Sequence, residues 1–434
     1  MVFLLMNQKK FSIVTFGCQM NVHDSEKIAG VLYREGYGPA EDSKDSDLIV
    51  FNTCSIREKA EQKFFSELGR MKALKKKRPD LKIAVAGCIA QQMGEKIMKR
   101  APHVDYILGP QNIGLLGELV GGSLKTAISE NLHIAEWDLP VRRATKGRAW
   151  ITIMYGCNNF CSYCVVPYTR GREKSRPSKN ILTEIRDLEE EGFVEVTLLG
   201  QNVNSYRSDM DFPGLLRAIN SVEAIRRIRF VTSHPRDLSD ELISEMEGLE
   251  KVCEHIHLPL QSGSDRILRM MNRGYTYDEY RRRIDRLRSK IPGISITTDI
   301  IAGFPGEDDD DHSLTTYALN EIGFDGIFAF KYSPRDGTKA ATMKEMVAED
   351  TKSERLSEIL RMQDHITLNI NKKLEHSLQE VLVEGVSETN AGMLAGRTRT
   401  NKIVNFEGND SLPGRFITLR VLKAMKHSLI GEVV

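Results

Sequence analysis

The stretch that most limits what this chain can fold into is Gly156-Cys157-Asn158-Asn159-Phe160-Cys161-Ser162-Tyr163-Cys164. It carries three thiols in a C-x3-C-x2-C pattern directly after the apolar run 150–155. A short apolar run of this kind reads as a buried strand, so the thiols fall in the loop at its C-terminal end, where α/β proteins place their chemistry. Three thiolates can hold three corners of a cubane iron-sulfur cluster, whereas a closed structural cluster takes four. One iron is then left open to a substrate or cofactor. Two other readings compete, a zinc site and three unrelated buried cysteines. Zinc usually takes paired C-x2-C units with a fourth Cys or His at standard spacing, and none lies nearby.

At 434 residues the chain is long enough for about three domains, and 41% hydrophobic with 28% charged residues gives a globular composition with ample core. The formal net charge is only +1, so any nucleic-acid binding has to come from local basic patches. No apolar run approaches a bilayer span and the apolar N-terminal stretch is too short for a signal peptide, so a cytoplasmic protein with no membrane partner is expected. In a reducing compartment its seven cysteines read as metal or redox groups rather than disulfides. Six of the seven fall into two sets of three.

The second set lies in residues 1–122. Four β-rich runs, 11–16, 47–51, 82–86 and 104–108, alternate with stretches of helical character, which predicts a parallel α/β sheet. Cys18, Cys54 and Cys88 end the first three runs. Parallel strands bring their C-terminal ends to one edge, so residues 36 and 34 apart in sequence become neighbours in space. Gly17 and Gly87 precede two of the thiols and would let backbone approach a bulky cluster. Three small buried residues at strand ends are the alternative. The basic run 70–78 reads as a solvated helix face, with phosphate contact as the sharper option.

The C-x3-C-x2-C segment closely resembles that of the radical S-adenosylmethionine (SAM) enzymes, in which the open iron chelates SAM and an electron from the cluster yields a 5'-deoxyadenosyl radical. Three further motifs narrow the resemblance to the methylthiotransferase family. They are Gly17-Cys18-Gln19-Met20-Asn21, then Asn52-Thr53-Cys54-Ser55-Ile56-Arg57-Glu58-Lys59-Ala60, and Ala86-Gly87-Cys88-Ile89-Ala90-Gln91, where Ile89 replaces the more usual Met. In that family the N-terminal trio holds an auxiliary 4Fe-4S cluster. The resemblance thus implies two 4Fe-4S clusters, on Cys157, Cys161, Cys164 and on Cys18, Cys54, Cys88.

Residues 123–145 lack a clear period and read as a linker. From 146 to 370 the opening strand is followed by five more candidates, 194–199, 228–232, 252–260, 295–302 and 325–332, with amphipathic helices between them. Ser178 is a candidate N-cap of the first. Six βα units suit an open, six-stranded partial (β/α)6 barrel. Polar, glycine-rich sequence follows the strands. By analogy with the superfamily, Gln201 would contact the SAM amino group, Gln261 the ribose, and Asp299 or Gly303 the methionine or adenine part, while Tyr163 matches an adenine-contacting position. Cys253, His255 and His257 alternate along one strand and read as core packing plus one polar residue facing a cavity. The acidic run 307–311 reads as helix-dipole compensation. Arg226, Arg227 and Arg229 read as solvated, with a phosphate-tracking surface as the alternative.

After residue 371 short alternating runs separated by turn residues predict a small antiparallel β-barrel, which resembles the TRAM RNA-binding domain. Arg397, Arg399 and Lys402 are its candidate RNA contacts. The architecture expected is therefore α/β, with a parallel-sheet N-terminal domain, a radical SAM partial barrel and a TRAM barrel.

Gly200-Gln201-Asn202-Val203-Asn204-Ser205-Tyr206, with the Cys18 and Cys54 motifs, resembles the family branch acting on isopentenylated tRNA. The implied reaction converts N6-isopentenyladenosine beside the anticodon to its 2-methylthio derivative, with SAM as methyl donor and radical source. A flavodoxin-like external electron donor and a sulfur or cluster donor are the implied partners. A ribosomal-protein or t6A-tRNA methylthiotransferase, and a non-enzymatic iron-sulfur RNA-binding protein, are the alternatives.

Overall fold

The computed structural model describes residues 8–55 and 58–434; Ile56 and Arg57 of the second motif lie outside them. The chain forms two compact units, one built from residues up to Ala144 with Tyr155–Asn158 and Val165–Arg176, the other from Thr145–Met154, Asn159–Cys164 and Pro177–Val434.

In the first unit, β1 (Lys10–Thr15), β2 (Gly38–Pro39), β3 (Leu48–Thr53), β4 (Lys82–Gly87), β5 (Tyr106–Leu108) and β6 (Thr126–Ala127) form one parallel sheet in the order β2-β1-β3-β4-β5-β6. The four expected strands are present. The two-residue β2 and β6, too short to carry a sequence period, cap the edges. Helices α1 (Gln19–Arg34), α2 (Glu58–Lys77), α3 (Cys88–Met93), α4 (Lys96–Arg100) and α5 (Leu116–Val120) connect the strands. Both sheet faces are covered by apolar clusters, one around Val50, Ala84 and Leu116, the other around Phe51, Phe64 and Val85. This is why β3 and β4 read as near-continuous apolar runs. Residues that follow α5 belong to this unit, where the Arg142 N–H donates to the Glu26 carbonyl at 2.9 Å.

The second unit opens with β7 (Arg148–Thr152). The two-residue strands β8 (Met154–Tyr155) and β9 (Lys174–Ser175) and the short α6 (Val166–Thr169) come next in the chain, α6 and β9 belonging to the first unit. There follow α7 (Ser178–Glu190), β10 (Glu195–Leu199), α8 (Phe212–Asn220), β11 (Arg227–Phe230), α9 (Asp240–Gly248), β12 (His255–His257), α10 (Asp265–Met270), α11 (Tyr277–Lys290), β13 (Ser295–Ala302), α12 (Asp309–Ile322), β14 (Gly326–Lys331) and α13 (Glu349–Lys372). Strands pair in parallel as β11-β10-β7 and β12-β13-β14, and an isolated bridge from Ile228 to Val252 joins the two halves. The result is a six-stranded partial barrel whose end strands β7 and β14 do not pair with each other. On β13, Ile296, Thr298, Ile300 and Ala302 are buried, whereas Thr297, Asp299 and Ile301 on the other face are half-buried. One face packs beneath the helices and the other stays partly accessible.

Helix caps follow local chemistry. Pro177, not Ser178, caps α7, because both the Ser178 N–H and its hydroxyl donate to Asp209. Asp308 and Asp311 form a reciprocal capping box on α12, where the helix dipole favours acids, and Arg266 and Arg355 also pair with acids of the same run.

The chain ends in a closed barrel of β15 (Leu378–Val386), β16 (Leu394–Thr398), β17 (Ile403–Phe406), β18 (Phe416–Ala424) and β19 (Leu429–Val433), ordered β15-β16-β17-β19-β18. All its pairs are antiparallel except β17 with β19. Val381, Val404, Phe406 and Leu419 fill it.

Candidate active site

Cys18, Cys54 and Cys88 stand at the C-terminal ends of β1, β3 and β4, three neighbouring strands in register through Thr15 opposite Asn52 and Thr53 opposite Gly87. Cys54 and Cys88 are buried and Cys18 is half-buried. Two glycines make room. A Cβ on Gly17 would lie 2.4 Å from Cys54 Cβ, and one on Gly87 would lie 2.4 Å from the Thr53 carbonyl, each glycine having positive φ. Asn21 and Asn52 brace the edge: Asn21 Nδ2 donates to Thr53 O at 3.0 Å, and Asn52 Nδ2 to Asn21 O at 2.8 Å. Burial pushes the Cys88 thiol up, and the neighbouring Arg170 guanidinium opposes that shift.

The motif loop is shared between the units, Cys157 lying in the first and Cys161 and Cys164 in the second. Cys157 is buried and its N–H donates to Gly171 O at 3.1 Å. In the second unit the loop is anchored by the turn after α10. The Ser162 N–H donates to Met271 O at 2.9 Å, and Asn272 Nδ2 reaches the carbonyls of Asn159 at 3.2 Å and Phe160 at 3.1 Å. Buried Arg273 completes the support. Its Nη1 lies 3.4 Å from both Cys161 Sγ and the Tyr163 hydroxyl, and its Nη2 donates to Pro259 O at 2.8 Å. Of the six non-glycine residues with positive φ among the described residues, four (Phe160, Thr232, Gln261 and Asn272) lie on this loop, its anchor or the strand ends. Such strained backbone clusters at functional sites.

The strand ends also carry buried polar atoms with no partner among the described residues. They include both amide atoms of Gln201, Asn202 Oδ1, Ser233 Oγ, His234 Nε2, Ser162 Oγ and the Tyr332 hydroxyl. Each such atom costs about 1–3 kcal/mol unless something binds it. His234 Nδ1 accepts the Arg236 N–H at 3.3 Å, so the ring proton sits on Nε2. Burial, then Arg273 and Arg236, lower its pKa to about 2. The side chain is a neutral hydrogen-bond donor whose Nε2 has no acceptor among the described residues.

The remaining expected SAM contacts differ in availability. The Gln261 N–H donates to Asp299 O at 2.8 Å. Asp299 is half-buried, its Oδ1 3.3 Å from His257 Nε2, whose ring packs edge-on against exposed Phe328. In the row Cys253, His255, His257, the first two are buried and His257 is half-buried. The Gly303 N–H is already taken by Glu307 Oε1 at 2.9 Å, and Glu307 in turn pairs with Arg355 at 2.9 Å.

The candidate RNA cations make internal pairs. Arg397 binds Glu384 at 3.1 Å, Arg399 binds Glu254 at 2.7 Å and Lys402 binds Asp325 at 2.6 Å. Arg227 and Arg229 are buried rather than solvated: Arg227 donates to Glu380 O and Arg397 O, Arg229 to Thr398 O and Arg399 O. They fasten the terminal barrel to the partial barrel. Sequence reasoning gives no such structural role to Arg170 or Arg273 and reads Arg227 and Arg229 as solvated, because an arginine's partner is set by tertiary contact and leaves no local period.

Among the described residues no three His, Cys, Asp or Glu side chains converge as they would around a single metal ion. Cys18, Cys54 and Cys88, on one sheet edge within the first unit, are the residues that would hold a larger iron-sulfur cage there. The glycines beside Cys54 and Cys88 leave space that a Cβ would fill, and the Gln201 amide waits for a polar ligand.

Known proteins match along the whole chain. Residues 10–109 match the family described as uncharacterized protein family UPF0004, residues 151–316 the radical SAM superfamily and residues 372–434 the TRAM domain. A tRNA-2-methylthio-N(6)-dimethylallyladenosine synthase of Thermodesulfovibrio yellowstonii is 52% identical over 97% of this chain and 98% of its own length. The enzyme of the same name from Carboxydothermus hydrogenoformans is 47% identical over 99% of this chain and 100% of its own. Among solved structures, the radical SAM methyltransferase TsrM from Kitasatospora setae aligns with TM-score 0.57 at 14% identity, covering 77% of this chain and 74% of that one, a likeness of fold. Full-length identity near one half, with all three domain matches in order, means that the chain belongs to the tRNA-2-methylthio-N(6)-dimethylallyladenosine synthase family of radical SAM methylthiotransferases.

Proposed function

We propose that this chain methylthiolates C2 of N6-isopentenyladenosine beside the anticodon of tRNA, with one 4Fe-4S cluster on Cys157, Cys161 and Cys164 and an auxiliary one on Cys18, Cys54 and Cys88. The observation that carries the proposal is the second trio of thiols, set on three adjacent parallel strand ends in addition to the motif loop. When bound, SAM and the clusters supply the electron, the hydrogen-abstracting radical and the methylthio group.

The chain's own groups bind and orient. Adenine C2–H is too weakly acidic for a side-chain base, so no ionisable residue is assigned to remove it. Gln201, with two unpartnered amide atoms, holds the amino-acid end of SAM, and His234 donates from Nε2 to a ligand acceptor. Tyr163, Gln261 and Asp299 line the remainder of the SAM pocket. Gly303 contributes its tight turn, because its amide is engaged by Glu307. Arg273 positions Cys161. The work divides among residues 1–122, the connecting residues 123–145, most of which pack with the first unit and add β6 to its sheet, the radical SAM region 146–370 and the TRAM barrel 371–434. Arg397, Arg399 and Lys402 meet RNA, where the polyanion competes with their acidic partners.

The partners are a flavodoxin-like electron donor and a sulfur or cluster donor, and the setting is the cytoplasm; no described helix is long and apolar enough to cross a membrane. Mass spectrometry of tRNA nucleosides from a strain lacking the gene tests the reading. Loss of the 2-methylthio group from isopentenyladenosine alone is expected. Loss confined to a ribosomal protein or to t6A would overturn it.

A further inference from the structure

Arg170 follows α6 and is buried in the first unit, with Asp24 beside it; their relative exposures are 6% and 3%. Arg170 Nη2 lies 2.7 Å from Asp24 Oδ2. The Arg170 carbonyl accepts from Gln111 Nε2 at 2.6 Å, which fixes the backbone that carries the guanidinium. Helix α6 packs against α3, which begins at Cys88, so the guanidinium at the end of α6 stands beside the helix that presents this thiol, and its charge opposes the upward push of burial on the thiol. Asp24 lies on α1, six residues after Cys18.

Burying two opposite charges gives little net stability, because each must be desolvated and an apolar pair of the same size does as well or better. The pair is therefore poorly explained as scaffold. Its location supplies another account. The reduction potential of an iron-sulfur cluster responds to nearby charge and to hydrogen bonds on its sulfurs. One-electron reduction adds a negative charge to the cluster and makes or breaks no bond. A cation close to a ligand sulfur stabilises the reduced form, and a carboxylate next to that cation acts against it.

We propose that Arg170 and Asp24 are an opposed pair of tuning residues for the auxiliary cluster, Arg170 raising its reduction potential and Asp24 restraining the rise. The inference rests on the assignment of Cys18, Cys54 and Cys88 as ligands. Both residues act through the charge they hold beside the thiols, so both are positioning residues in the electrostatic sense.

The test uses the full-length chain carrying Cys157→Ala, Cys161→Ala and Cys164→Ala, reconstituted anaerobically so that only the auxiliary cluster is present. Dithionite supplies the electron, mediator dyes set the potential, and electron paramagnetic resonance reads the reduced fraction. Arg170→Gln is expected to move the midpoint to more negative potential and Asp24→Asn to more positive potential, with Arg170→Lys between the parent and Arg170→Gln. Unchanged midpoints in chains with parental iron and sulfide, or shifts of one sign in both variants, would overturn the proposal. Should Arg170→Gln fail to retain iron, the isosteric Asp24→Asn decides alone, and a midpoint that is unchanged or lower counts against it. A parent that binds no cluster shows instead that the ligand assignment is wrong, and this inference falls with it.

Discussion

Arg399 closes on Glu254 with two nitrogens, Nε 2.8 Å from Oε2 and Nη2 2.7 Å from Oε1, while Nη2 also reaches the carbonyls of Glu250 and Val252. This geometry ties the terminal barrel to the segment that leads into β12. Arg399→Ala should therefore lower stability by about 1–2 kcal/mol, the value of charge-assisted hydrogen bonds discounted for partial exposure. The midpoint of urea denaturation should fall, and tRNA affinity of the folded variant should fall by about three- to tenfold, roughly 0.7–1.4 kcal/mol, as one phosphate contact is lost. Weaker tRNA binding at an unchanged midpoint would mean that RNA contact is the residue's main role.

Gln201→Leu should separate stability from ligand binding. Removing two unsatisfied amide atoms relieves a burial cost, so stability should hold or rise by about 1 kcal/mol. SAM affinity, measured by calorimetry on the reconstituted chain, should fall at least tenfold, about 1.4 kcal/mol. Undiminished SAM binding would remove Gln201 from the site.

Gly87→Ala would drive a Cβ into the Thr53 carbonyl at 2.4 Å and impose a strained φ of 89°. Backbone cannot yield as a flexible side chain can, so the turn that presents Cys88 must shift. Iron content after anaerobic reconstitution should drop from about eight toward about four atoms per chain, as one of two four-iron cages is lost. Full iron loading of the variant would show that the turn tolerates the change.

Acid should destabilise the fold through buried histidines. Burial first, then cations such as Lys27, Arg273 and Arg229, lower the pKa of His23, His234 and His255 respectively. In the unfolded chain each titrates near 6.5. Below that pH the unfolded state binds protons that the folded state refuses, so stability is complete above about pH 6.5 and falls below it, by up to ~1.4 kcal/mol per pH unit for each histidine. Denaturation midpoints between pH 7.5 and 5 should trace this slope, and His255→Gln should flatten it. A slope unchanged by that substitution would assign the acid sensitivity elsewhere.

Much of this arrangement was legible from local sequence. The apolar runs ending in Cys18, Cys54 and Cys88 gave the parallel strands, and parallel pairing then required their thiols to share an edge. The six strands of the partial barrel were readable for the same reason. Charged partners were not. Arg227, Arg229 and Arg399 look like a phosphate-facing set in sequence, yet their acceptors are carbonyls and carboxylates about 145 to 170 residues away. Nor could the ring tautomer of His234 be read, since it depends on one backbone N–H two residues on.

Because β7 and β14 leave their outer edges without a mutual ladder, the wall of the partial barrel has no seam to unzip. His257 and Asp299, half-buried side by side on neighbouring strands, therefore keep their exposure without any strand pairing having to open.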